Sequence, residues 1–297
     1  MRARIWGCRG SIASPGPHTV RYGGNTSCVE VRLADGPVVV LDAGTGMREL
    51  GGLLVAEGER EIHVLLSHLH LDHLQGLAFF APLYQAGVEV HLWGPPSPVR
   101  SLESRISSYM SDPLFPVSLA DVPATVVCHD APFDGMPLGS AEFGAAPVMH
   151  RGPTVGYRIE EGGKSLAYLP DHEPALGTSF RTSEVAWLSG YALALRADVL
   201  LHDAQYTEEE FDSHRGWGHS SVRHVVDYAL VGDVRQLVLF HHDPAHSDAQ
   251  LEELHERACE LWGDRAHPPV LAYEGMDIDL DAEILPLVPA ARIAPAV

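Results

Sequence analysis

Residues 62–76 read IHVLLSHLHLDHLQG, an apolar run that passes directly into four residues with metal-binding side chains, His68, His70, Asp72 and His73. The run predicts a strand over Ile62–Leu66, which places the polar cluster at a strand's carboxyl end. Alternation along an extended chain would send His68, His70 and Asp72 to one side and leave His73 to start the next turn, so that two neighbouring metal ions share the cluster. Imidazoles with a carboxylate suit zinc, iron or manganese. So many polar groups beside an apolar strand are costly unless something compensates them, and a metal ion does.

Further short apolar runs predict strands at Cys28–Leu33, Val38–Leu41, Val88–Leu92, Thr125–Cys128, Ser165–Leu169, Val199–Leu201 and Leu237–Phe240. Three-and-four spacing of apolar residues predicts helices at Met47–Ala56, Pro98–Tyr109, Ser183–Leu195, Ser220–Leu230 and Asp248–Leu261. Interleaved strands and helices mean a layered α/β protein. The first 45 or so residues read as antiparallel strands joined by a Gly/Pro-rich loop, so the sheets are expected to be mixed. With no linker or repeat between halves, residues 1–297 are expected to form one domain, with a loosely held end at Ala290–Val297.

Twenty Lys+Arg against 40 Asp+Glu give a net charge of −20, which argues against an extended nucleic acid, whose phosphates are tracked by cationic side chains. No apolar run approaches the 18 or so residues that span a bilayer, and the start lacks a signal-like stretch, so a soluble cytoplasmic protein is expected. Cys8, Cys28, Cys128 and Cys259 include no CxxC pair and read as free thiols.

The segment SHLHLDHLQG resembles the HxHxDH signature of the metallo-β-lactamase superfamily. That resemblance implies a four-layer αββα sandwich with two mixed sheets and a hydrolytic site for two divalent metal ions, zinc before manganese or iron. It also implies further ligands at His150, Asp171 and His241, with His242 as the rival for the last position. One metal would take His68, His70, His150 and Asp171, and the other Asp72, His73, Asp171 and His241, with a nucleophilic hydroxide between them; Asp72 thus also counts among the catalytic residues. Asp42, in LDAGTG, is expected to brace the metal loop by hydrogen bonding.

Residues 199–225, VLLHDAQYTEEEFDSHRGWGHSSVRHV, look like the ribonuclease Z branch of phosphodiesterases. The likeness implies that Asp203 orients His219, a general acid for the departing oxygen. Asp stands where the branch has Glu, one methylene longer. Ser220 is expected either to touch substrate or to cap the following helix.

The ribonucleases carry a basic arm for transfer RNA, whereas Glu173–Asp198 has only Arg181 and Arg196 as cations. A small phosphodiester, above all a cyclic nucleotide, is therefore the expected substrate. The alternatives are RNA 3′-processing, acyl-ester, lactone or thioester hydrolysis, and nucleotide binding at a vestigial site. The N-terminal loop also resembles the cyclic-phosphate members, which would bring Arg21, Tyr22 and Asn25 to the rim. Tyr109, Met110 and Phe115 are weighed as a cover over the site against ordinary core packing. The resemblance further implies a homodimer, and the lack of a spanning apolar run leads to the expectation of no membrane partner.

Overall fold

The computed structural model describes residues 1–175 and 187–281. Its strands are β1 (Arg2–Gly7), β2 (Cys28–Arg32), β3 (Val38–Leu41), β4 (Glu61–Leu65), β5 (Glu89–Gly94), β6 (Thr125–Asp130), β7 (Met136–Leu138), β8 (Ala141–Pro147), β9 (Val155–Glu161), β10 (Lys164–Leu169), β11 (Val199–Asp203), β12 (Gln236–Phe240), β13 (Val270–Leu271) and β14 (Asp277–Asp279). The helices are α1 (Met47–Glu57), α2 (Leu71–Leu74), α3 (Leu102–Ser107), α4 (Tyr191–Ala194), α5 (Glu208–His214), α6 (Val222–Val231) and α7 (Asp248–Trp262).

Two seven-stranded sheets result, ordered β14-β1-β2-β3-β4-β5-β6 and β13-β12-β11-β10-β9-β8-β7. Each is mixed: β3 to β6 run parallel in the first and β10 to β13 in the second, while their remaining neighbours pair antiparallel. Apolar residues from both sheets, among them Ile5, Val29, Leu65, Tyr157, Tyr168 and Phe240, share one buried cluster. A second cluster lies between the first sheet and its helices, where Met47, Leu50 and Leu54 of α1 meet Val40, Ile62 and Val64. This is the αββα sandwich, with helices outside and sheets face to face.

Local chemistry sets the element ends. Helix α1 stops at Gly58, which adopts φ +78° and returns its N–H to Leu54 and Val55 carbonyls. Helix α3 is shorter than its apolar pattern predicts because Ser101 caps it, accepting from Ser104 N, and leaves Pro98 outside. Helix α6 is capped by Ser221, which accepts from His224 N, so Ser220 is not the cap. Residues 183–186 of the predicted Ser183–Leu195 helix, Arg181, and the Ala290–Val297 end lie outside the described residues. Among described residues, no helix is long and apolar enough to cross a membrane.

Candidate metal centre

The site lies where parallel strands end, the usual place for ligands in such sheets. Strand β4 leads to His68, β10 to Asp171, β11 ends on Asp203, and β12 leads to His241. The HxHxDH segment is extended only to His70 (φ −68°, ψ 154°); Asp72 and His73 then belong to the turn α2. This corrects the expected alternation, because helical winding rather than extension sets Asp72 and His73 next to each other.

Two groups of donors converge. In the first, His68 Nε2 and His150 Nε2 lie 3.6 and 3.5 Å from Asp171 Oδ2, and His150 Nε2 lies 3.3 Å from His70 Nδ1. In the second, Asp171 Oδ1 lies 3.0 Å from His73 Nε2 and 3.1 Å from His241 Nε2, while Asp72 Oδ2 lies 3.1 and 3.3 Å from the same two nitrogens. His68, His70, His150 and Asp171 thus form one cluster and Asp72, His73, Asp171 and His241 the other, with Asp171 common to both.

Surrounding groups aim these ligands. Asp42 Oδ2 accepts from His73 Nδ1 at 2.7 Å and from Ser67 Oγ and Tyr168 OH at 2.8 Å, while its Oδ1 accepts from Ser67 N at 2.7 Å. His150 Nδ1 donates to Gly218 O at 2.8 Å and His241 Nδ1 to Gln205 Oε1 at 3.0 Å, which leaves each Nε2 for the centre. Ser11 N donates to Asp72 Oδ2 at 2.8 Å. Asp42 and His241 both hold left-handed backbone conformations, φ +59° and +58°. Each such residue costs on the order of 1 to 3 kcal/mol, strain that clusters at functional sites.

Burial holds the imidazole of His68 well below its ordinary pKa, reinforced by His73. Burial likewise lowers His70 and His150. At His73 burial is overcome by Asp171, Asp72 and Asp42, which raise it, and Asp171 is held low against burial by His241 and His73. His68 Nε2 and Asp171 Oδ1 are buried without a hydrogen-bond partner. Orphaned polar atoms, one in each donor cluster, fit divalent cations.

Beside these two clusters, His219 Nδ1 lies 2.6 Å from Asp203 Oδ2 and 3.9 Å from Asp171 Oδ2. The shorter Asp side chain therefore reaches. Asp203 is fully buried and also accepts from Gln205 N, Ser220 N and His172 N. Burial opposes charge on His219, but Asp203, with help from Asp171 and Asp72, pushes its pKa up to about 9.

Other sequence expectations land elsewhere. Ser220 Oγ is fully buried and donates to His172 O, so it ties two loops together instead of facing substrate. Asn25 Oδ1 accepts from Thr45 Oγ1, and its N–H donates to Glu274; it braces the N-terminal loop. Arg21 pairs with Glu252 and Tyr22 is buried, so neither reaches the site. His242 points away, its Nε2 donating to Ala272 O, whereas His241 joins Asp72, His73 and Asp171. Met110 is core, Tyr109 OH donates to Gln75 O, and Phe115 packs edge-on against Phe79. Gln205, two positions past the end of β11, and Glu173, four past the end of β10, were not singled out from sequence, although both follow strand ends, where the other site residues also stand.

A family model, the Beta-lactamase superfamily domain, matches residues 38–242. The chain belongs to that superfamily, as a metallo-β-lactamase-fold, metal-dependent hydrolase. A ribonuclease Z of Kineococcus radiotolerans is 29% identical over 303 aligned residues, covering 88% of this chain and 90% of the relative. The crystal structure of the short form of human tRNase Z matches with TM-score 0.65 at 20% identity, over 95% of this chain and 100% of that one. A diphosphatase of the PhnP family matches with TM-score 0.63 at 21% identity, over 94% and 97% respectively.

Proposed function

We propose that this chain is a two-metal phosphodiesterase that hydrolyses a small phosphodiester, a cyclic nucleotide in the first instance, with His219 as general acid. The observation that carries the reading is the 2.6 Å Asp203–His219 pair set against the metal ligands. Breaking a P–O bond releases an alkoxide, a poor leaving group unless a proton reaches it, and a carboxylate-oriented imidazole beside the reacting centre supplies one. Asp203 holds the ring so that Nε2 is the nitrogen free to give its proton to the departing oxygen.

His68, His70 and His150 would hold one cation, Asp72, His73 and His241 the other, with Asp171 between them. Zinc suits this nitrogen-rich set. Cations bound there would acidify water to hydroxide and neutralise charge gathering on the phosphoryl oxygens. The residues of the chain orient these groups, and the buried Asp42 network keeps His73 in place.

RNA 3′-processing is the second reading, favoured by the ribonuclease Z relative. The net charge of −20 opposes a long polyanion. The test is turnover by metal-reconstituted protein of a 3′,5′-cyclic nucleotide panel, a transfer RNA with a 3′ extension and an aryl acetate, with Asp171→Ala as control. Hydrolysis of cyclic nucleotides by the unaltered protein alone is expected. Cleavage of the RNA only, or of the ester only, would replace this reading with the corresponding alternative.

A further inference from the structure

Between the metal ligands and His219 the chain runs Arg215-Gly216-Trp217-Gly218, and Trp217 is 51% exposed. Trp93 and Trp262, by contrast, are buried at 6% and 3%. Trp187 is more exposed still, at 82%, so exposure alone does not distinguish Trp217. Its support is what sets it apart.

Glu173, only 2% exposed, places its carboxylate under the turn: Gly216 N donates to it at 2.9 Å and Gly218 N at 3.0 Å. Burying a carboxylate is costly unless it is hydrogen-bonded, and here its bonds fix the two residues that flank the indole. Gly218 has φ +93°, and a Cβ there would lie 2.4 Å from His150 Nδ1. Gly218 O also receives the His150 Nδ1 proton. The turn carrying Trp217 is therefore fastened to a metal ligand on one side and leads into the proton donor on the other.

Arg151, the residue after His150, sets its guanidinium 6.0 Å from the Trp217 ring centroid and donates to Gly216 O. Among described residues Arg151 forms no ion pair. His214 also packs edge-on to Trp217 at 4.7 Å and stacks on Tyr206, which in turn meets His219 edge-on at 5.8 Å. A planar apolar face and a cation with no carboxylate partner among the described residues thus stand together beside His219, held in advance of any ligand.

We propose that Trp217 is the stacking surface for the base of a nucleotide whose phosphate lies at the metal centre, with Arg151 beside it, which makes Trp217 a specificity-determining residue. For the reaction this rests on the phosphodiesterase reading above; the binding surface is testable without it. Stacking of a base on an aromatic side chain is sequence-tolerant because every base has a π-face, so the surface selects nucleotides over base-free phosphates more than one base over another.

The experiment is calorimetric titration of the metal-loaded protein with AMP and with ribose 5-phosphate, for the unaltered chain, Trp217→Ala and Trp217→Phe. The unaltered protein is expected to bind AMP roughly 5- to 100-fold more tightly than ribose 5-phosphate. Trp217→Ala should erase most of that ratio by weakening AMP alone, and Trp217→Phe should restore much of it. A ratio near one in the unaltered protein, or a ratio that survives in Trp217→Ala, overturns the proposal. Cyclic nucleotide hydrolysis is measured alongside: no hydrolysis with the affinity ratio intact removes the phosphodiesterase reading and leaves the stacking surface supported.

Discussion

Replacing Asp42 by Asn separates what the buried carboxylate does for the fold from what it does for the metal. Asn keeps the size and tolerates the left-handed backbone at φ +59°. The hydrogen bonds, however, leave it no good orientation. Oδ2 accepts from three donors, His73 Nδ1, Ser67 Oγ and Tyr168 OH, and Oδ1 from Ser67 N. If the Asn oxygen takes the three-donor side, its amide NH2 confronts the Ser67 N–H; if it flips, the NH2 confronts the His73 Nδ1–H, while the two hydroxyls can turn to accept.

The milder arrangement loses one charge-assisted bond and strands a buried donor, a cost of about 2 to 4 kcal/mol in unfolding free energy. Loss of the negative partner behind His73 should weaken metal binding about 10- to 100-fold. Urea unfolding in excess chelator reads the first effect, and competition against a chromophoric chelator reads the second. Unchanged metal affinity in a protein destabilised by the expected amount would refute the claim that Asp42 acts on the metal through His73. Unchanged stability would refute the hydrogen-bond account.

Three further outcomes are expected. His219→Ala should keep its metal content by elemental analysis and lose about 10²- to 10⁴-fold in kcat on cyclic nucleotides, with a smaller loss on a p-nitrophenyl phosphodiester, whose leaving group needs no proton; equal losses on both would speak against the general-acid role. His202 is neutral and buried, its pKa lowered to about 4 by burial against the opposing pull of Asp203. The unfolded chain takes up this proton near pH 6.5 and the folded chain does not, so its contribution is complete above pH 6.5 and is lost as pH falls toward 4, by roughly 3 kcal/mol; chelator-treated His202→Leu should show a pH slope shallower by up to one proton across that window, and an identical slope would sink the assignment. Gly218→Ala forces a side chain into a left-handed position against His150 and should cost about 1 to 3 kcal/mol together with metal affinity, measured by melting and chelator competition; a variant that melts and binds like the parent would show that the turn can yield.

The parts of the molecule legible in the sequence are those whose signal is local. IHVLL followed by HLHLDH announces a strand and its ligands, because pattern and donors are contiguous. The layered α/β class followed similarly from the alternation of runs, and the mixed sheets from the antiparallel start. Strand β1 escaped notice because Arg2 and Arg4 alternate with Ala3 and Ile5 and leave no continuous apolar run, and α5 because its signal is a cap, Thr207 with Glu210, rather than an apolar stripe.

Choices between neighbours were beyond local reading. His241 and His242 have the same chemistry, and only the backbone turn at His241 sends one inward and the other to Ala272 O. Ser220 and Ser221 divide their roles in the same way, one tying down the His172 carbonyl and the other capping α6. Asn25 looked like a rim residue because its partners Thr45 and Glu274 are remote in sequence. Glu173 matters through Gly216 and Gly218, more than 40 residues away, a relation that a single sequence does not display.

The donors of each cluster come from both sheets: His68, His70, Asp72 and His73 follow the first, while His150, Asp171 and His241 belong to the second. An ion held by all of them is therefore a cross-link between the two halves of the sandwich, formed by mass action instead of by a covalent bond. Its contribution to folding grows with the logarithm of free metal, about 2.7 kcal/mol when the metal stands at 100 times its dissociation constant. The melting temperature of the protein would then be a gauge of metal supply, and scarcity would loosen the seam between the sheets as well as silence the site.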